Sequence, residues 1–273
     1  MIFRRLVFFL ACGWAASMAV LEAQYLVTFQ GPATVSQDPT VSFFDPSTLN
    51  AGPTTSIPNA FQFLSLPDGS ELYFITNNTG AAITVLHPKT RTSVTAVAGL
   101  LQIGNFPNPL NCGALSPDGS RLVVGENAVH IFDTGTNIDL TPNGIGVGGG
   151  ATVIAVTVSY DSQTVFALAT YNGTSYLAAI SIAQLAVTNS ITLTGTASAL
   201  CQGPNALLYV GLPGQLLEIN PATLATTPNG TVTVNATPGP LAFTPDGNYL
   251  VAANQVYGTQ PAVLLLNLNN YLV

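Results

Sequence analysis

The sequence predicts an all-β chain, a β-propeller of four-stranded antiparallel blades. Three observations carry that expectation. A strand ending in a turn recurs at intervals of about 45 residues. A second turn, built on Pro-Asp-Gly, precedes it in each interval. The composition is that of packed strands, with 48% hydrophobic and only 6% charged residues among 273, against roughly 25% charged in ordinary soluble domains.

The recurring strand reads Val41-Ser42-Phe43-Phe44-Asp45-Pro46 at its first appearance and Ile83-Thr84-Val85-Leu86-His87-Pro88 at its second. It returns as Val129-His130-Ile131-Phe132-Asp133 and as Leu216-Leu217-Glu218-Ile219-Asn220-Pro221, with weaker copies ending at Ser181 and Asn267. The turn-opening column is therefore Asp45, His87, Asp133, Ser181, Asn220 and Asn267, in steps of 42, 46, 48, 39 and 47. Short polar side chains suit that slot because they accept hydrogen bonds from backbone N–H groups just downstream, and a following proline presets φ. His87 occupies one such slot.

The second element appears as Leu66-Pro67-Asp68-Gly69, Ser116-Pro117-Asp118-Gly119 and Thr244-Pro245-Asp246-Gly247, with degenerate copies at Ser159-Tyr160-Asp161-Ser162 and Gly203-Pro204-Asn205-Ala206. Proline starts the turn, aspartate caps it and glycine accepts a positive φ, so apolar runs on either side become an antiparallel pair. The recurring Asp68, Asp118 and Asp246 fall in different units and are expected to cap turns, not to converge as an acid pair. A unit then reads strand, Pro-Asp-Gly turn, strand, loop, strand, Asp-Pro turn, strand, which is a propeller blade. A β-sandwich would not repeat one such unit six times, and β-helix coils are much shorter. Six blades are expected in this chain, the first and last incomplete, or seven if the sequence is part of a longer protein.

Composition and charge exclude some partners. The formal net charge is −7. Residues 1–23 read as a signal peptide: Arg4 and Arg5, an apolar stretch from Leu6 to Val20, and Ala23 before the cut. The remaining 24–273, the expected propeller domain, keep only Lys89, Arg91 and Arg121 as basic residues against eleven acids, a net charge of −8. That balance speaks against nucleic acid and against an anionic membrane surface; after signal cleavage no membrane insertion is expected. The expected location is secreted: periplasmic, extracellular or cell surface. Cys112 and Cys201 lie in non-neighbouring units within apolar strands and are expected as buried free thiols.

The Pro-Asp-Gly turns, Ser-Pro-Asp-Gly at Ser116–Gly119, and the strands Tyr73-Phe74-Ile75-Thr76-Asn77 and Tyr249-Leu250-Val251-Ala252-Ala253-Asn254 that follow two of them resemble YVTN-type repeats of bacterial surface-layer-like and lactonase-like β-propellers. The resemblance spans roughly residues 24–273. It implies a fold; the repeat marks turns and strands, not a site.

Candidate site residues lie in the loops after each second strand: Asn77 and Asn78, Glu126 and Asn127, Tyr171 and Asn172, then Asn254, Gln255 and Tyr257. In a propeller these loops share a face that commonly binds ligands, and amide, carboxylate and phenol groups there suit a sugar, a lactone or a cation. The lactonase-like resemblance implies a metal held by Glu, Asn and Asp, but Glu126 is the only acid of the set. Only two histidines exist, with no ligand cluster around them, so no metal and no cofactor are expected. Neither a Gly-x-Ser-x-Gly elbow nor a phosphate loop is present, and no catalytic residue is assigned. The glycines Gly148, Gly149 and Gly150 read as a connection between blades or a loop over the ligand face. The leading expectation is a secreted binding module for an unidentified protein or carbohydrate. The rivals are a lactonase-like or lyase-like enzyme acting in the central channel and a structural envelope or surface-layer component.

Overall fold

A computed structural model describes residues 16–21, 25–30, 40–44, 51–58, 60–76, 83–88, 92–95, 112–234, 237–244, 246–254 and 263–268. The chain divides into two compact units, Met1–Asn105 and Phe106–Val273. Among the described residues every regular element is a strand. No helix among them is long and apolar enough to cross a membrane.

The first unit holds two four-stranded sheets. One runs β1 (Ala16–Leu21), β2 (Tyr25–Gln30), β3 (Thr40–Phe44) and β4 (Ala51–Ser56). The other runs β5 (Ala60–Ser65), β6 (Leu72–Thr76), β7 (Ile83–His87) and β8 (Thr92–Thr95). Val41 and Phe43 of β3 are buried against Leu72, Phe74 and Leu86 of the second sheet.

The second unit holds three complete sheets and a shorter one. The first contains β9 (Gly113–Leu115), β10 (Arg121–Gly125), β11 (Val129–Asp133) and β12 (Ile138–Asp139). The next contains β13 (Thr152–Val158), β14 (Thr164–Tyr171), β15 (Thr174–Ser181) and β16 (Ala186–Leu193). The third contains β17 (Ala199–Gln202), β18 (Leu208–Leu212), β19 (Gln215–Ile219) and β20 (Thr226–Thr233). The last has three strands, β21 (Pro238–Phe243), β22 (Tyr249–Asn254) and β23 (Val263–Asn267).

All ladders are antiparallel between consecutive strands, and the innermost strands β9, β13, β17 and β21 neighbour one another in series. This is the β-propeller arrangement, and the blade count is a correction. Five sheets are complete four-stranded blades, the first among them, and the last stops at three strands; a seventh sheet is not seen among the described residues. The first sheet is complete because Ala16–Leu21, read from sequence as the end of a signal peptide, pairs with Tyr25–Gln30. An apolar segment rich in Ala, Met and Val satisfies a strand position as readily as it does a signal sequence, so composition cannot separate the two.

The turn chemistry appears as the sequence predicted. Asp118 Oδ1 accepts the Ser120 N–H at 2.9 Å and the Ser116 hydroxyl at 2.6 Å. Asp68 and Asp246 make the same downstream bond to Ser70 at 2.9 Å and Asn248 at 3.1 Å. Gly119 and Gly247 adopt φ of 73° and 71°, the region L-residues avoid. In the degenerate copies Ser162 and Ala206 hold that conformation without being glycine, at 59° and 64°. The second column behaves alike: Asp133 Oδ1 caps Thr136 N–H at 3.0 Å, and Asn220 Oδ1 caps Ala222 N–H at 2.9 Å.

Candidate functional site

Gly125 is where the site begins. A Cβ placed there would meet Val153 Cγ1 at 2.3 Å, so only glycine lets β10 approach β13. The close approach allows the Glu126 carbonyl to accept the Val153 N–H at 2.5 Å. The chain then turns tightly, Glu126 N–H donating to the Ala128 carbonyl at 2.9 Å. Glu126 is buried, while Asn127 at the tip is exposed, its amide 3.5 Å from Glu126 Oε1.

From Thr141 the chain crosses to the next blade as a strap. Its start is fixed by Ile145, which exchanges backbone hydrogen bonds with Val129 at 2.8 and 2.9 Å. Val147 is buried in the core between the β9–β12 and β13–β16 blades, and the Ala151 N–H donates to the Gly148 carbonyl at 2.8 Å. Between these anchors Gly148, Gly149 and Gly150 are exposed. The strap passes beside the β14–β15 hairpin: a Cβ on Gly150 would lie 3.9 Å from the Tyr171 ring, and one on Gly148 3.8 Å from Tyr176. Tyr171 is 46% exposed, and Asn172 beside it holds a positive φ of 48° as the hairpin turns.

The structure therefore brings Glu126, Asn127, Tyr171 and Asn172 to one end of two adjacent blades, joined by the glycine strap. Asn254 closes β22 in a third blade. Asn77, Asn78, Gln255 and Tyr257 lie outside the described residues. Tyr176 was not singled out from sequence, although its place three residues after the Asn172-Gly173 turn puts it within reach of the same strap. Of the two sequence readings for Gly148 to Gly150, the structure shows the connection between two blades.

Groups that titrate or ligate elsewhere are engaged in the fold. Buried His130 Nδ1 lies 2.9 Å from Oδ2 of half-buried Asp139, and Asp139 Oδ1 also accepts the Thr141 N–H at 2.8 Å. His87 Nδ1 lies 3.5 Å from Glu71 Oε1. Glu218, buried, accepts the Tyr209 hydroxyl at 2.9 Å and the Thr227 hydroxyl at 2.6 Å. Among the described residues no three His, Cys, Asp or Glu side chains are grouped to hold a metal. Cys112 and Cys201 are free thiols. Burial pushes Cys112 up to about 12 and raises Cys201 as well, so neither is a ready thiolate. Cys201 is only half-buried as a residue, less than the sequence led us to expect. A cleft of about 450 Å³ opens at the other end of the same two blades, between the Asp118 and Ser162 turns, with Leu140, Ile182 and Leu185 as its apolar wall. Arg121 at its rim is committed to Asp133 Oδ2 at 2.7 Å.

Radially neighbouring four-stranded antiparallel blades place the chain in the β-propeller class. Two solved structures are similar across 89% of it: Kuenenia stuttgartiensis hydrazine synthase, at 18% identity, TM-score 0.65 and 74% of that chain, and a chain of the mitotic checkpoint complex, at 14% identity, TM-score 0.66 and 71% of that chain. At such identities the likeness is one of fold alone. No family model matches the sequence, and no curated protein matches it either.

Proposed function

We propose that the chain is a secreted, YVTN-type propeller acting as a binding module, and that its contact surface is the end bearing Asn127, Tyr171, Asn172 and the Gly148–Gly150 strap. The observation that carries this reading is the exposed Tyr171 ring beside backbone stripped of side chains. An aromatic face with a free approach, flanked by Asn amides that both donate and accept, recognises neutral hydroxyl-rich ligands. The ligand class that fits is carbohydrate. Glycan-array binding of the full chain, repeated with Tyr171→Ala and Asn172→Ala, tests it: the first is expected to lose about tenfold or more in affinity, as anchoring tyrosines do, with an unchanged circular dichroism spectrum. Binding that is indifferent to Tyr171, or found only to proteins, would turn the reading down. The recurring Pro-Asp-Gly turns support the repeat assignment, and the n-region and apolar stretch of residues 1–23 support secretion. Amino-terminal sequencing of the exported protein checks the latter, with Gln24 expected first; such cleavage removes Ala16–Leu21 and leaves the first sheet with the three strands β2–β4.

A further inference from the structure

The cleft of about 450 Å³ lies between two neighbouring sheets of the second unit, β9–β12 and β13–β16, and all of its lining residues are described. The Asp118 N–H, donating to Ser162 Oγ at 3.1 Å, ties the two turns together across it. The β9–β12 side presents Asp118, Arg121 and Leu140, and the β13–β16 side presents Ile182 and Leu185. Leu140, Ile182 and Leu185 sit at the margin of the core between the sheets and are only half-buried, so aliphatic surface remains in the cleft.

Arg121 decides what the cleft can hold. Its Nη1 is committed, donating to Asp133 Oδ2 and to the Ser120 carbonyl, both at 2.7 Å. The other edge of the guanidinium is not. Nε is buried without a partner, and no hydrogen bond among the described residues uses Nη2. A buried N–H with no acceptor is costly, and one beside a cleft marks where an acceptor is due. Nε and Nη2 together form the side-on fork that takes both oxygens of a carboxylate. Asp118 stands on the same wall, and Arg121 pairs with Asp133, not with it. Partial burial pushes the Asp118 carboxyl up, but bonds from Ser116 and Ser120 hold it below the usual range, so it is charged at neutral pH.

We propose that this cleft binds an aliphatic α-amino acid, at a site separate from the carbohydrate face at the opposite end of the same blades. The ligand carboxylate lies side-on to Nε and Nη2 of Arg121, its ammonium meets Asp118, and its side chain packs on Leu140, Ile182 and Leu185. Charge selects the zwitterion over its relatives. Arg121 is already neutralised by Asp133 and the chain carries −7 overall, so a bare anion is disfavoured. A bare cation would leave Nε without an acceptor. The zwitterion answers both groups and adds no net charge. The volume stands at the small end of ligand pockets and suits a molecule of this size.

Isothermal titration calorimetry of the full chain with L-leucine tests this, with a dissociation constant of about 1 mM or below expected. Isocaproate lacks the amine and isoamylamine lacks the carboxylate; each is expected to bind about tenfold or more weakly. Arg121→Lys keeps a cation beside Asp133 but has no side-on fork, and is expected to weaken leucine about tenfold. Asp118→Asn still accepts the hydrogen bonds of its turn. It is expected to weaken leucine by about the same factor and to abolish its advantage over isocaproate. Both variants are expected to keep the wild-type circular dichroism spectrum. Leucine that fails to bind at up to about 10 mM overturns the proposal. So does equal binding of leucine and isocaproate to wild type, or a leucine affinity unmoved by both substitutions.

Discussion

The β13–β16 and β21–β23 sheets are copies of one pattern with different surroundings. In the former, both faces of the third strand are closed: Ala178 and Ile180 pack backward, Leu177 and Ala179 forward. In the latter, among the described residues, only the backward face is closed: Leu250 and Leu266 are buried, Val263 and Leu265 exposed. The same alternation of aliphatic residues thus yields core in one place and open surface in the other, which teaches that burial in a repeat protein belongs to the neighbour as much as to the sequence.

That contrast can be broken first by truncation. Leu177→Ala removes a fully buried side chain from the sandwiched sheet and is expected to cost about 2–5 kcal/mol, whereas Val263→Ala at the equivalent position of the open sheet should cost under about 0.5 kcal/mol in the monomer; urea denaturation of both compares them. Equal losses would mean that the open face is covered in solution. A second test concerns what ties blades together. The fully buried Ser175 Oγ accepts the Ala197 N–H at 2.7 Å, bridging to the start of the next blade. Ser175→Ala should therefore cost about 1–3 kcal/mol by orphaning that N–H, seen in the same denaturation experiment. In the opposite direction, Ala206→Gly relieves a left-handed turn residue that the complete copies assign to glycine, and is expected to gain about 0.5–1 kcal/mol; a drop in thermal midpoint would count against that reading of the turn.

The smallest effect is that of pH on the turn carboxylates. The Thr136 hydroxyl, with its N–H and Arg121, holds Asp133 below the usual carboxylate range. The Ser159 hydroxyl and the Gln163 N–H do so for Asp161, and the Thr244 hydroxyl and the Asn248 N–H for Asp246. Asp118 is pushed up by partial burial but pulled lower still by Ser116 and Ser120. A carboxyl with a depressed folded pKa binds fewer protons folded than unfolded, so its contribution is whole above about pH 4 and is lost as pH falls through the folded value. Thermal midpoints should be flat from neutrality down to about pH 5 and fall below about pH 4. Exposed carboxylates are screened, so added salt should blunt the part due to Arg121.

Much of the fold was legible because turns announce themselves locally. The third strands end at His87, Asp133, Ser181 and Asn267 as the turn column requires. The blade count was less legible, since Ala16–Leu21 carries no turn signal of its own and reads equally well as a targeting segment. Of the site, the loops were visible from their place after each second strand. The convergence of Tyr171 with the glycine strap was not, because Gly150 and Tyr171 meet only once two blades are set side by side.

Alone, the sequence determined the strands, their turns and the repeat, because Pro, Asp, Gly and Asn act on backbone within a few residues of themselves. Tertiary structure decided which aliphatic faces became core, which glycine stands beside which aromatic ring, and that Val263 and Leu265 stay open. Those outcomes depend on the sheet packed alongside, and packing between blades joins residues that no local rule connects.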